Sequence, residues 1–442
     1  MDSGSLTADR KLFGTDGVRG PVGELLTPEL AIALGRAAAA EAGAERPQVV
    51  IVRDTRESGP MLEAGLASGI AAGGGDAYLA GVLPTPAASV LVRRHGLDLA
   101  AVVSASHNPW RDNGIKFFGP DGMKLDGEIE SRIEERLGER AGGGEVGRIR
   151  TLEGALDDYL RELTSTFQLD LGGRKILLDC ANGAASRAAP AAFERLGAEV
   201  ETVAAEPDGR NINDGCGAIH PQMLAERIGQ SGAEAGFAFD GDGDRLLAID
   251  RRGRVRDGDE LVAIIAAHLQ RTGELDGGIV VTVMTNYGFH TAMAKAGIDV
   301  ATTKVGDRFV IEGLRERGWP LGGEQSGHII WMEFAPTGDG IAAALLLERA
   351  LEGADLADVE PFEKLPQRLE NIELGDPGEL EGAAELWEAV ERESAALEGR
   401  GRVLVRPSGT EPLVRIMVEA PSTEECETVV ERLAEVARQE LG

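Results

Sequence analysis

Three aspartates separated only by glycines are the strongest chemical signal in this sequence. The run AGFAFDGDGDRLLAID (235–250) places Asp240, Asp242 and Asp244 directly after an apolar stretch, with Arg245 next. On an extended chain alternate carboxylates point the same way, and glycines let the backbone curl around an ion. Oxygen ligands without His or Cys favour Mg²⁺ over zinc, so the run predicts a magnesium site. The alternative is an acidic turn between two strands.

A second candidate is a serine at the end of a probable strand. In LDLAAVVSASHNPWRDNGIKFF (97–118), Ser106 falls in the loop that follows the apolar run. Open α/β sheets place their ligands at the carboxyl ends of strands. Ser106 could therefore be a nucleophile, a phosphate carrier or only a turn former. Lys116, in NGIK, could contact a phosphate or be a solvated loop lysine.

A third loop carries groups that suit a hydroxyl-rich ligand. PLGGEQSGHII (320–330) presents Glu324, Ser326 and His328 from a glycine-rich turn between apolar runs. A sugar needs bidentate acceptors and short donors, which Glu and Ser supply. His328 is equally consistent with a proton-transfer group and with a structural histidine.

The fourth loop and the N-terminal region supply cations. In RVLVRPSGTEPLVRIMVE (402–419), the two arginines around a Ser-Gly-Thr turn are combined with hydroxyls and backbone N–H groups, which is how phosphate is bound without a P-loop. The residues concerned are Arg406, Ser408, Gly409, Thr410 and Arg415. FGTDGVRG (13–20) adds Arg19, and VRDTRESG (52–59) adds Arg53 and Arg56, each of which could also be an ordinary surface arginine.

These loops need a scaffold, and a recurring unit of the chain predicts one. An apolar run, a polar turn and a helical pattern recur at 48–59, 175–186 and 278–288, which is typical of buried parallel strands with crossover helices. The fold class is therefore α/β: three similar modules with mixed or parallel sheets, and a C-terminal α+β domain. A helix is expected over 152–167. The predicted domains are residues 1–150 with the serine loop, 151–252 with the aspartates, 253–365 with the Glu324 loop and 366–442 with the arginine loop.

Composition excludes several classes of function. The 442 residues carry a net charge of -30, which disfavours nucleic-acid and anionic-membrane partners because both would be repelled. Three cysteines are too few for a disulfide framework, and no apolar run is long enough for a membrane span, so we expect a cytoplasmic protein. Gly142-x-Gly144-x-x-Gly147 matches the dinucleotide-binding pattern, but an acidic helical stretch and not a strand precedes it. We therefore interpret this segment as a linker and not as a dinucleotide-binding site.

Together the motifs resemble one family over the whole chain. FGTDGVRG, SASHNP with NGIKFF, DGDGDR, GGEQSGH and RPSGTEPLVR occur in the order and spacing of the α-D-phosphohexomutases. Gln325, with VGDRFV (305–310) and NINDGCGAIHP (211–221), is similar to the phosphoglucosamine mutase branch. Val52 and Ala218 depart from the usual Gly and Ser, which slightly weakens the sugar assignment.

The resemblance implies a fold of four domains around a central cleft and a role for each loop. Ser106 would be the phosphoserine and a ligand of one Mg²⁺ per subunit, beside the three aspartates. Arg19, Lys116, Arg245 and His328 would form the catalytic set, with Lys116 and His328 as candidates for acid–base transfer. Glu324 and Ser326 would bind sugar hydroxyls, and the Arg406–Arg415 loop the distal phosphate. The C-terminal domain would hinge near Pro366.

The implied activity is interconversion of glucosamine 6-phosphate and glucosamine 1-phosphate, with glucosamine or glucose 1,6-bisphosphate as activator. The small phosphosugar would be the partner, and the chain would be a monomer or a homodimer. The alternatives are a phosphomannomutase/phosphoglucomutase, a metal-dependent phosphatase and a non-catalytic sugar-phosphate-binding protein.

Overall fold

The structure is a computed structural model that describes residues 11–14, 16–139, 144–373, 380, 382–407 and 413–441. The chain forms two compact units. The first comprises Met1–Met284 and Ile298–Val359, and the second Thr285–Gly297 and Glu360–Gly442. Among the described residues, no helix has the length and apolar character needed to cross a membrane.

The first sheet of the first unit has six strands. They are β1 (Val18–Pro21), β2 (Gln48–Arg53), β3 (Asp76–Val82), β4 (Leu99–Val103), β5 (Asp112–Phe118) and β6 (Ile149–Thr151), in the order β1-β5-β4-β2-β3-β6. Its helices are α1 (Pro28–Glu41), α2 (Gly59–Ala72), α3 (Thr85–His95) and α4 (Gly127–Glu135). β2 pairs in parallel with β3 and β4, whereas β5 runs antiparallel to β1 and β4.

The second sheet of this unit has five strands. They are β7 (Lys175–Asp179), β8 (Glu199–Val203), β9 (Ala235–Phe239), β10 (Leu246–Asp250) and β11 (Val255–Arg256), in the order β11-β10-β9-β7-β8. Its helices are α5 (Ala155–Phe167), α6 (Ala185–Arg195) and α7 (Gln222–Ser231). β9 and β10 form an antiparallel pair, so the aspartate run is the connection between them.

The third sheet has four strands. They are β12 (Gly278–Thr282), β13 (Asp299–Thr303), β14 (Leu321–Gly323) and β15 (Ile329–Trp331), in the order β13-β12-β14-β15. Helices α8 (Gly258–Thr272), α10 (Asp307–Arg317) and α11 (Gly340–Leu351) belong with it. α8 begins with a capping box, in which the side chains of Asp257 and Glu260 each accept a backbone N–H at the helix start.

The second unit has a different architecture. It contains α9 (Tyr287–Ala296), β16 (Gln367–Glu373), α12 (Ala384–Ala396), β17 (Arg402–Pro407), β18 (Leu413–Glu419) and α13 (Thr423–Leu441). The three strands form an antiparallel sheet in the order β16-β18-β17. A separate core of apolar side chains from this sheet, α12 and α13 stabilises it.

The predicted α/β modules and α+β tail are confirmed. β2, β7 and β12 are each followed by a turn and a helix, and each pairs in parallel with its neighbours. The helix expected over 152–167 begins three residues later, at Ala155, because Gly154 adopts a left-handed conformation with φ of 78°.

Candidate active site

Ser106 lies in the loop between β4 and β5, at the carboxyl end of β4, as predicted. Its backbone is left-handed, with φ of 50°, which is unusual for a residue other than glycine. Only 2% of the residue is exposed, and its hydroxyl donates a 2.6 Å hydrogen bond to Asp240 Oδ2. His107 Nδ1 lies 3.3 Å from the same hydroxyl oxygen. The serine is therefore aimed at the aspartate cluster.

The aspartate run forms a tight turn between β9 and β10 rather than the extended chain that the spacing suggested. Gly243 has a φ of 72°, and its N–H donates to the carbonyl of Asp240. A Cβ on Gly241 would lie 2.6 Å from the carbonyl oxygen of Ser106, so only glycine allows the two loops to approach so closely. The turn still gathers Asp240, Asp242 and Asp244, each offering a carboxylate oxygen within 4.8 Å of the others.

The chemistry of this cluster fits a hard divalent cation. All three carboxylates are buried, and burial together with the neighbouring Asp244 and Asp242 raises the pKa of Asp240. Asp242 Oδ1 and Asp244 Oδ1 are buried and accept no hydrogen bond from the described residues. Three like charges held together in a buried turn, with two acceptors unused, suit an oxygen-liganded Mg²⁺.

Lys116 lies on β5 and is buried, so its interpretation as a solvated loop lysine is wrong. Its ammonium lies 2.9 Å from Asp242 Oδ2 and 3.8 Å from Asp244 Oδ2. Burial by itself would raise the pKa of Asp242, but the nearby Lys116, the hydroxyl of Thr85 and Arg19 hold it well below the usual range. The strand thus brings a fixed positive charge to the aspartates.

The two predicted arginines of this region also lie near the cluster. Arg245 Nε is 4.0 Å from Asp244 Oδ1, and its backbone N–H donates to Asp240 Oδ1 at 3.2 Å. The guanidinium of Arg19 pairs with Asp16, whose carboxylate also lies 3.7 Å from Lys116 Nζ. Both arginines therefore contribute positive charge to the site.

The Glu324 loop is the short connection of the β14–β15 hairpin. Glu324 is buried and its Oε1 accepts the N–H of Gly306 at 3.0 Å, whereas Ser326 is exposed. His328 Nε2 accepts the N–H of Gly338 at 3.2 Å, and its Nδ1 lies 3.6 Å from Asp244 Oδ1. Burial opposes protonation of His328, but Asp244 and other nearby carboxylates raise its pKa overall. These contacts are consistent with a histidine that orients the carboxylate of Asp244.

Sequence reasoning missed several residues of this region. Thr85, at the start of α3, donates a 2.6 Å hydrogen bond to Asp242 Oδ2. Lys124 forms ion pairs with Asp16 and with Asp307, the first residue of α10. Asp16 and Asp307 occur in FGTDGVRG and VGDRFV, so their motifs were visible, but nothing local marks Thr85 or Lys124.

Arg56 was interpreted either as a surface residue or as a cation for the substrate, and both interpretations are wrong. The residue is wholly buried, and its guanidinium is bonded to Asp54 and to backbone carbonyls of the serine loop. Arg53 pairs with Glu63 at 3.2 Å.

The predicted phosphate-binding arginines lie in the second unit. Arg406 on β17 and Arg415 on β18 are direct cross-strand partners. Burial, followed by the charge of Arg415, lowers the pKa of Arg406. Ser408, Gly409 and Thr410 lie outside the described residues. Two guanidinium groups on directly paired residues of neighbouring strands can together bind an anion such as phosphate.

Comparison with known proteins identifies the family. Four models of the phosphoglucomutase/phosphomannomutase family match in succession: alpha/beta/alpha domain I over residues 10–141, domain II over 157–253, domain III over 257–365 and the C-terminal domain over 369–436. A phosphoglucosamine mutase from Desulforudis audaxviator is 49% identical over 98% of this chain and 99% of its own. The chain belongs to this family. It is a phosphohexomutase and hence an isomerase, and the predicted resemblance to phosphoglucosamine mutases is confirmed.

Solved structures of phosphohexomutases share the fold. A phosphoglucomutase/phosphomannomutase family protein from Burkholderia thailandensis superposes with a TM-score of 0.82 at 25% identity, covering 97% of each chain. An N-acetylphosphoglucosamine mutase from Aspergillus fumigatus, solved with GlcNAc-6P and magnesium, gives a TM-score of 0.70 at 18% identity, covering 99% of this chain and 97% of that one.

Proposed function

We propose that this phosphohexomutase is a phosphoglucosamine mutase, which interconverts glucosamine 6-phosphate and glucosamine 1-phosphate and so feeds UDP-N-acetylglucosamine and cell-wall precursor synthesis. The observation that carries the proposal is the hydroxyl of Ser106 hydrogen-bonded at 2.6 Å to Asp240 inside a buried cluster of three carboxylates. Two carboxylates of this cluster, those of Asp242 and Asp244, also lie 2.9 and 3.8 Å from the buried ammonium of Lys116, so the serine hydroxyl faces a group of buried charges. The strong similarity to phosphoglucosamine mutases supports the choice of sugar.

Ser106 acts as the phosphoryl carrier in two transfers. In the first, the bond between phosphorus and Ser106 Oγ breaks while a bond to O1 of glucosamine 6-phosphate forms, giving the 1,6-bisphosphate. The sugar then turns over, and the bond between O6 and phosphorus breaks as a bond to Ser106 Oγ forms. O6 takes up a proton, and glucosamine 1-phosphate is released. Phosphoryl transfer depends mainly on the positioning of the reacting groups and on stabilisation of the charge of the transferred phosphoryl group. The cationic side chains of the site therefore make the main contribution to catalysis.

Asp240, Asp242 and Asp244 would hold one Mg²⁺, together with an oxygen on Ser106. When bound, the ion supplies positive charge that offsets the charge developing on the transferred phosphoryl group. The chain itself adds Lys116, fixed 2.9 Å from Asp242, and Arg245 beside Asp244. These cations also reduce the repulsion that an incoming phosphate would meet.

The proton of Ser106 has an acceptor in place. The hydroxyl must lose its proton when it is rephosphorylated, and Asp240 Oδ2 already accepts that hydrogen bond. For the sugar hydroxyl, Lys116 and His328 remain the proposed acid–base residues. Of the two, Lys116 is better supported, because His328 Nε2 already accepts the N–H of Gly338.

Substrate binding is proposed for two further loops. Glu324 and Ser326 bind sugar hydroxyls, and Arg19 contributes charge at the catalytic centre. The distal phosphate binds a set of residues from the second unit: Arg406, Ser408, Gly409, Thr410 and Arg415. The four domains proposed for these loops are residues 1–150, 151–252, 253–365 and 366–442. Glucosamine or glucose 1,6-bisphosphate serves as activator of a cytoplasmic monomer or homodimer.

A substrate panel tests the proposal. Purified protein with Mg²⁺ and glucose 1,6-bisphosphate is assayed with the 6-phosphates of glucosamine, mannose and glucose, and with Ser106→Ala as control. We expect the highest kcat/KM with glucosamine 6-phosphate. A higher value with mannose or glucose phosphate would make the protein a phosphomannomutase/phosphoglucomutase instead. Release of inorganic phosphate without isomerisation would make it a phosphatase.

A further inference from the structure

Arg56 is one of the two arginines among the largest fully buried side chains, and it lies beside the loop that carries Ser106. Its guanidinium Nε donates to Asp54 Oδ2 at 2.8 Å, and the Asp54 side chain is equally buried. A buried guanidinium has five N–H donors, and a single carboxylate accepts hydrogen bonds from only some of them. The others need further acceptors inside the protein. The remaining donors of Arg56 therefore identify what the residue holds.

Those donors all bind the backbone of the segment from Ser106 to Asp112. The two terminal nitrogens of Arg56 donate to four backbone carbonyl oxygens. Three belong to the loop after β4, those of Ser106 at 2.9 Å, Asn108 at 2.8 Å and Pro109 at 2.5 Å, and the fourth belongs to Asp112, the first residue of β5, at 3.0 Å. Carbonyl oxygens that converge on one point repel one another unless a cation lies between them. The serine loop is thus folded around the guanidinium of Arg56.

The backbone of Ser106 is held on both sides. Its N–H donates to Ser104 Oγ at 3.0 Å, and Ser104 Oγ in turn donates to Asp54 Oδ2 at 2.6 Å. Its carbonyl oxygen accepts from Arg56 and also from Asn213 Nδ2, at 2.9 Å each. A left-handed conformation at a residue other than glycine persists where its surroundings fix it in this way.

We infer that Arg56 is a positioning residue for phosphoryl transfer, which holds Ser106 in its left-handed conformation so that Oγ faces Asp240. The inference rests on the proposed role of Ser106 as phosphoryl carrier. Arg56 has no solvent-exposed surface, so it cannot bind the sugar phosphate directly. Its loss should consequently lower kcat, because misplacement of a reacting atom by about 1 Å can cost about 100-fold, and should leave KM nearly unchanged.

The test variant is Arg56→Lys, which keeps the positive charge beside Asp54 but has fewer donors and no planar fork. We expect kcat for glucosamine 6-phosphate to fall about 100-fold with KM within about threefold of the wild type. The rate at which glucose 1,6-bisphosphate phosphorylates the protein, followed by intact mass, should fall by the same factor as kcat.

Arg256→Lys is the matched control. Arg256 is as fully buried as Arg56 and pairs with Glu260 at 3.0 Å, but it lies on β11 and donates to Leu356 rather than to the serine loop. We expect this variant to lose thermal stability and to keep the wild-type kcat. Asn213→Gly is the second test, because it removes the other donor to Ser106 without touching the buried ion pair, and glycine tolerates the left-handed φ of 59° at this position. It should lower kcat about tenfold at unchanged KM.

The outcomes separate the inference from the function it rests on. If Arg56→Lys and Asn213→Gly both retain wild-type kcat, the inference is overturned while the proposed function stands. The same holds if Arg256→Lys loses as much kcat as Arg56→Lys. If Arg56→Lys does not fold, the kcat of Asn213→Gly decides whether the inference stands. A wild-type protein that never acquires phosphate on Ser106 would overturn both the function and the inference.

Discussion

Lys116 Nζ lies 2.9 Å from Asp242 Oδ2, although the two residues are 126 positions apart in the chain. Lys116 comes from β5 of the first sheet, and Asp242 from the turn after β9 of the second. Both side chains are almost completely buried, so neither charge can be satisfied by water. This ion pair therefore connects the first and second sheets, and it lies in the proposed catalytic centre.

Lys116→Met should remove this charge with little change of shape. We expect kcat to fall between about 100-fold and 1,000-fold, the cost of losing one preorganised charge at a reacting phosphoryl group. Steady-state kinetics on glucosamine 6-phosphate measure the effect. Lys175→Met is the control, since Lys175 pairs with Glu199 at the surface, and it should retain wild-type kcat. An active Lys116→Met enzyme would contradict a catalytic role for the lysine.

Thr85 contacts the same carboxylate oxygen as Lys116. Its hydroxyl donates to Asp242 Oδ2 at 2.6 Å and its N–H to the Asp242 carbonyl at 2.8 Å. Thr85→Val removes the hydroxyl bond at nearly constant volume, and we expect Mg²⁺ affinity to fall about 10-fold to 100-fold, as for other groups that orient metal ligands. Titration calorimetry with Mg²⁺ measures it. Thr85→Ser should restore the affinity; if it stays low, the hydroxyl is not responsible.

The residues that could be predicted from sequence are those whose chemistry is concentrated in a short segment. Asp240, Asp242 and Asp244 occupy five consecutive positions, and Ser106 follows directly on a recognisable buried strand. The fold was equally predictable, because the apolar runs of β2, β7 and β12 each end in a polar turn before a helix. In these cases local sequence determines local structure.

Thr85, Lys124 and Arg56 could not be identified in the same way. The contacts of Thr85 and Lys124 join residues more than one hundred positions apart, and no local pattern marks either residue as part of a site. Arg56 lies in a polar segment, VRDTRESG, that is typical of a surface loop. Its role follows only from its burial against the loop that carries Ser106. The interpretation of Lys116 as a loop residue was wrong for a related reason. Asn-Gly is typical of a turn, but here NGIK lies within β5.

Metal binding can be tested without any substrate. Folding brings the three carboxylates together, so Mg²⁺ should bind the folded protein and not the unfolded chain. A ligand of this kind at about 100 times its Kd stabilises the folded state by about 2.7 kcal/mol. Differential scanning fluorimetry should show a rise in Tm with MgCl₂ but not with NaCl of equal ionic strength. Asp244→Asn should abolish the rise, whereas Asp276→Asn, at an exposed position, should retain it. A wild-type Tm that ignores Mg²⁺ would contradict the site.

The arginine pair of the second unit should act on substrate affinity. Arg406 lies directly across from Arg415 in the antiparallel sheet, and Arg406→Ala removes one charged donor to the distal phosphate. We expect KM for glucosamine 6-phosphate to rise about 10-fold to 100-fold with an unchanged circular dichroism spectrum. Arg400→Ala, which removes an exposed pair with Glu425 and a bond to the Ala396 carbonyl, is the control and should leave KM unchanged. An unchanged KM in Arg406→Ala would contradict the phosphate-loop assignment.

The proposed reaction requires that Ser106 carry a phosphoryl group. The most direct test incubates the wild type and Ser106→Ala with glucose 1,6-bisphosphate and Mg²⁺, then measures intact mass and maps the modified peptide. We expect one added phosphoryl group on the wild type, located on Ser106, and neither modification nor turnover in Ser106→Ala. A Ser106→Ala protein that is still phosphorylated, or that still interconverts glucosamine phosphates, would contradict the proposed role of Ser106.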